Sequence, residues 1–81
     1  MNEFQQALTL MEDIQNDPTV SDKVKKKIGN MHKELKKSSK DNRSLKINKI
    51  LAELEDISND VNIPAFVRTQ IWHMTSMLES V

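Results

Sequence analysis

Twice along this chain the same acidic word is spelled: Glu12-Asp13-Ile14-Gln15-Asn16-Asp17 and, 43 residues later, Glu55-Asp56-Ile57-Ser58-Asn59-Asp60. Gathered carboxylates offer the hard oxygen ligands that magnesium and calcium prefer, so cation binding is one chemistry this repeat could support. The spacing is not that of an EF-hand loop and no site glycine is present, so no metal ligand is assigned. A simpler role fits Asp17 and Asp60. Each stands just ahead of a following helix, where a carboxylate satisfies free N–H groups and meets the positive end of a dipole. His32 and His73 are not equivalent in the repeat, share no helix face, and have no serine or cysteine set beside them by spacing. Acid–base and nucleophilic catalysis therefore have no support beyond residue type. Met11, Met31, Met74 and Met77 fall at core-filling spacing rather than forming a soft-metal box. The chain has no cysteine, which excludes disulfides, thiolate metal sites and a thiol nucleophile. No catalytic residue, metal ligand or cofactor is expected, and the chain reads as non-enzymatic.

Two features point to binding instead. Eleven of the twelve basic residues lie between Lys23 and Lys49 against only Glu34 and Asp41, a net of +9 in a chain whose total is zero. Within that block Lys36, Lys37, Lys40, Arg43 and Lys46 are the candidate contacts for nucleic acid or another polyanion, whose binding would weaken steeply with salt. A solvated face is the ordinary explanation of such a run. The second feature is Trp72, the chain's one Trp. At 100° per residue it lies off the apolar seam of its helix, on a face shared with Arg68, Ser76 and Glu79. It either folds over the bundle edge and seals the core, or anchors a partner with Arg68 stacked upon it.

The elements that must position these residues repeat as well. Leu8, Ile14, Val24, Ile28, Met31 and Leu35 recur at the same 43-residue offset as Leu51, Ile57, Val67, Ile71, Met74 and Leu78. Helix one starts at an Asn2–Gln5 capping box, carries Phe4, Ala7, Leu8, Met11 and Ile14 at helical spacing, and ends near Asn16. Helix two starts at Thr19 or Ser21 and presents Val20, Val24, Ile28, Met31 and Leu35, with Gly29 in its interior. Helix three, with Asp41 as its cap, presents Ile47, Ile50, Leu51, Leu54 and Ile57. Helix four, capped by Asn62 with Pro64 in its first turn, presents Val67, Ile71, Met74, Leu78 and Val81. Hairpin one occupies 2–37, a polar linker 38–42, and hairpin two 43–81. Short connections leave antiparallel neighbours as the economical arrangement, so the expected fold is all-α, an up-and-down four-helix bundle made of two repeated hairpins facing each other.

Folded this way the charge block is diluted. The end with the first and third connections holds five cations and eight anions, and the end with the linker seven cations and four anions, so +9 along the sequence becomes +3 in space. At 81 residues there is room for one domain and one core. No apolar run approaches the roughly 20 residues of a membrane span, and residues 1–10 lack the basic start and apolar block of a signal peptide. A soluble, cytoplasmic protein is expected.

The segments I-S-N-D-V-N-I-P (Ile57–Pro64), R-T-Q-I-W (Arg68–Trp72) and L-E-S-V at the C-terminus closely resemble the small archaeal proteins grouped as uncharacterised protein family 0147. The match is close over Leu51–Val81 and looser before it. The resemblance implies a compact four-helix bundle of the bromodomain-like, up-and-down class in an archaeal cytoplasm. It transfers no catalytic residue, since that family has no assigned function. The functional expectation is a helical protein-interaction module, self-association included, with Arg68, Trp72, Ser76 and Glu79 as its contact face. Polyanion binding through the lysine-rich end is the alternative, and an enzyme of unknown class the third.

Overall fold

The computed structural model describes residues 2–81 and contains four helices, α1 (Glu3–Gln15), α2 (Asp22–Lys36), α3 (Arg43–Ser58) and α4 (Ala65–Glu79), with no strand among the described residues. Each helix packs on its two neighbours in a closed ring, α1 on α2, α2 on α3, α3 on α4 and α4 back on α1. With connections of six residues between successive helices, that ring is an up-and-down four-helix bundle. Its long dimension is 35 Å, against 22 and 20 Å across.

The core is wholly apolar; among the described residues no polar or charged residue is buried. Met11, Ile14, Ile28, Met31, Leu35, Leu54, Val67, Ile71, Met74 and Leu78 are all at most 1% exposed, and the 43-residue offset carries buried positions of the first hairpin onto buried ones except at Leu8, whose partner is Leu51. Three apolar positions depart from the helical stripes. Phe4 and Leu51 are only partly covered, and Val81 lies beyond α4 and is exposed. Ile63, in the loop before α4, is buried at 8%, matching Val20 in the first loop at 5%. These two residues close the bundle at one end from outside any helix.

The halves differ in tightness. Helix α1 lies closer along both of its neighbours than α3 does along either of its own. Side-chain volume at equivalent positions accounts for this: α1 has Ala7 where α3 has Ile50, and α2 has Gly29 where α4 has Trp72. A Cβ built on Gly29 would stand 2.8 Å from Gln15 Nε2 on α1, so the glycine leaves room for that side chain to lie across α2.

The helix starts correct two expectations. Asn2 Oδ1 accepts from the Gln5 N–H at 2.7 Å and Ser21 Oγ from the Val24 N–H at 3.3 Å, which settles the start of α2 on Ser21. Helix α3, however, is preceded by Asn42 rather than capped by Asp41. The Asn42 Oδ1 accepts from the Ser39 N–H at 2.8 Å, and the Arg43 N–H already reaches Ser39 O at 2.9 Å. The loop winds into the helix and no side chain caps it. Helix α4 starts after Pro64, not Asn62, because Asp60 Oδ1 takes the Asn62 N–H at 2.9 Å and holds Asn62 in the turn.

Candidate interaction surfaces

Of the repeated carboxylates, Asp17 and Asp60 are turn formers. Asp17 Oδ1 accepts from the Thr19 N–H at 2.8 Å and the Thr19 hydroxyl at 2.7 Å, and Asp60 repeats the backbone part of that turn. They satisfy loop N–H groups ahead of the helix rather than the helix end itself. The Thr19 hydroxyl, then its N–H, with a smaller contribution from the Lys25 charge, hold the Asp17 carboxyl below its usual range. Among the described residues no three His, Asp or Glu side chains come together as metal ligands. His32 joins α2 to α1 through Nε2, 3.1 Å from Glu12 Oε1, while His73 is exposed on α4. Met11, Met31 and Met74 are buried in the core and Met77 packs partly against it.

Trp72 projects from α4 toward α3 with 58% of its surface exposed. An open hollow of about 420 Å³ lies beside the ring, walled by Leu51, Ala52, Glu55 and Ser58 of α3 and by Thr75 and Glu79 of α4. Leu51 is half-buried here, whereas its repeat partner Leu8 is 6% exposed. Ser76 and Glu79 are exposed on the same side of α4. Arg68 is turned elsewhere: its Nε donates to Ser58 O at 2.9 Å and its Nη2 to Asp60 O at 3.1 Å. It closes the C-terminal end of α3 instead of stacking on Trp72, a job its sequence position one turn before Trp72 did not disclose.

At the lysine-rich end the five candidate contacts divide. Lys36, Lys37 and Lys40 are exposed. The Arg43 guanidinium lies 4.1 Å over the Phe4 ring and its Nε donates to Ser38 Oγ at 3.1 Å. Lys46 Nζ sits 3.5 Å from Glu34 Oε2. A hollow of about 450 Å³ near this end is lined by Asn2, Glu3, Phe4, Arg43, Ser80 and Val81. Among the described residues its one cation is Arg43, already held over Phe4, and Glu3 stands in the same lining.

The chain matches the family model described as "Uncharacterised protein family (UPF0147)" over residues 1–81. It belongs to that family. Among UPF0147 proteins it is 35% identical to one from Archaeoglobus fulgidus, over 96% of this chain and 87% of that one, and 32% identical to one from Methanosarcina mazei, over 96% and 83%. The crystal structure of a UPF0147 protein from Thermoplasma acidophilum, 29% identical, aligns with a TM-score of 0.85 over 96% of this chain and 91% of its own. The fold is thus shared with that protein. No helix among the described residues is long and apolar enough to cross a membrane.

Proposed function

We propose that this UPF0147 protein is a non-enzymatic interaction module that self-associates through the α3–α4 face, with Trp72 as the anchor and Leu51, Ser76 and Glu79 around it. The observation that carries this reading is the exposure of Trp72 beside an open hollow floored by half-buried Leu51. Large aromatics at the centre of an apolar patch dominate the energetics of association, and a ring fixed by only two torsions costs little to immobilise. Cover from a second copy also suits a small core whose third helix is the least tightly packed. Arg68 supports the face from behind by fixing the end of α3. The alternative of polyanion binding by the linker end is weaker, since Arg43 and Lys46 are engaged within the fold.

Sedimentation equilibrium of the wild-type protein and of Trp72→Ala tests the reading. The 58% of Trp72 left in water is on the order of 150 Å², or about 4 kcal/mol at about 25 cal/mol per Å²; with half of that realised in the interface, the substitution should weaken association roughly 30-fold. A wild-type protein that stays monomeric at high concentration, or a dimer indifferent to Trp72→Ala, would rule it out.

A further inference from the structure

Helix α2 carries a second surface that self-association through Trp72 does not use. Its core side is the Val24, Ile28, Met31 and Leu35 stripe. Lys23, Lys26, Lys27, Lys33 and Lys36, and Lys37 just beyond the helix end, are all exposed. At 100° per residue Lys26 and Lys33 stand directly opposite the core stripe, with the others on the two shoulders. From Lys23 to Lys37 the ridge runs about 21 Å. Of the two acids on α2, Asp22 lies at its start and Glu34 is paired with Lys46 of α3.

We propose that this ridge binds double-stranded DNA by its phosphates, without reading sequence. Three observations select that occupant. Among the described residues the exposed large apolar ones are Leu45, Val61, Phe66, Trp72 and Val81, none of them on α2, so the ridge has neither the apolar face that a membrane-surface helix buries nor the aromatic anchor of a protein interface. No Phe, Tyr or Trp lies on α2 to stack an unpaired base, and its one imidazole, His32, is held against Glu12 of α1, which disfavours single strands. With α1 and α3 packed on its flanks, α2 offers its outward ridge, which can lean into the major groove of B-form DNA, about 12 Å wide, whereas the major groove of A-form RNA is too narrow to admit it. Lysines on both shoulders then face phosphates on both sides of the groove.

The test is fluorescence anisotropy with a labelled mixed-sequence DNA duplex at about 50 and about 200 mM salt. Five to six phosphate contacts give a slope of log K against log salt near −5, a loss of about 10³-fold over that range. Lys26→Gln/Lys33→Gln should flatten the slope by about 2. Ala65→Glu/Thr69→Glu, which changes net charge equally but at exposed positions of α4 outside the Trp72 face, should leave the slope unchanged. Circular dichroism of both variants checks that the fold is kept. Absence of binding at the lower salt overturns the proposal, as does equal weakening by the two variants. Binding of duplex RNA or polyglutamate as tight as that of duplex DNA overturns the choice of partner.

Discussion

Gly29→Ala should stabilise this protein although, at first sight, it adds an atom where there is no room. Glycine inside a helix costs about 0.8–1.0 kcal/mol relative to alanine, chiefly through the backbone freedom it has in the unfolded chain. Against that gain stands the new Cβ, which would lie 2.8 Å from Gln15 Nε2 and 3.7 Å from Gln15 Cδ. The obstacle is the tip of a long side chain, half-buried at the edge of the bundle, and no backbone atom comes within 4 Å. Moving the tip aside costs the order of an off-rotamer torsion, about 0.5 kcal/mol. The net is about 0.5 kcal/mol of stabilisation, or a rise of roughly 2–4 °C in Tm for a chain of this size. Thermal melts followed by far-UV circular dichroism measure it. In a Gln15→Ala background the obstacle is gone and the whole gain of about 1 kcal/mol should emerge. If Gly29→Ala destabilises by 1 kcal/mol or more in both backgrounds, the space over Gly29 is filled by backbone and the explanation of the close α1–α2 approach is wrong.

Other substitutions probe different contacts. Arg68→Ala removes two charge-assisted hydrogen bonds to the Ser58 and Asp60 carbonyls and should cost about 1–2 kcal/mol in urea unfolding, with Arg68→Lys recovering only part because an ammonium cannot reach both carbonyls as the guanidinium fork does. Ile71→Ala or Met74→Ala, each at a position 0% exposed, should cost about 2–5 kcal/mol, comparable with the entire stability of a domain this small. The Asp17 carboxyl is held below its ordinary 3.8, so its contribution is present above that pH and lost as pH falls through the lowered value. The difference in stability between wild type and Asp17→Ala should therefore shrink as the solution is acidified past the carboxylate range, measured by urea titrations across pH.

How much of this was legible in the chain depended on periodicity. The helices and their buried stripes followed from apolar residues three and four apart, because a 3.6-residue repeat fixes which side chains share a face irrespective of partners. Asn2 was visible as a cap because its contact lies three residues away, whereas Ser21 was one of two candidates, the other, Thr19, being taken into the turn by Asp17. What failed depended on competition between neighbours: Asp41 and Asn62 were the expected caps, but α3 is preceded by Asn42, which bonds back to Ser39, and Asn62 is held by Asp60. Val81 continued the α4 stripe on paper and is exposed because the helix stops at Glu79. Ile63 belonged to no helical stripe, yet its likeness to Val20 in the repeat could have marked it as core.

The binding surfaces were half legible. Trp72 was placed off the seam by its angle alone, but the angle left both a seal over the core and an exposed ring open, and the ring is exposed. Arg68 was paired with it on the same reasoning, yet a long side chain reaches along the bundle to whichever acceptors lie free, and the end of α3 offers two. The basic run held a similar ambiguity. Charge counted along the sequence does not distinguish Lys46, drawn to Glu34 across a helix interface, from Lys26 and Lys33, which face only water.

Because Trp72 is the chain's one tryptophan, its own emission reports on the surface it is proposed to anchor. Following the emission maximum through a dilution series requires no label and no variant. Self-association through the α3–α4 face requires a red shift on dilution, as the ring passes from a covered interface to its half-exposed state in the free protein. An emission maximum constant over the whole concentration range in which sedimentation detects dimer would place the contact elsewhere and contradict the role assigned to Trp72.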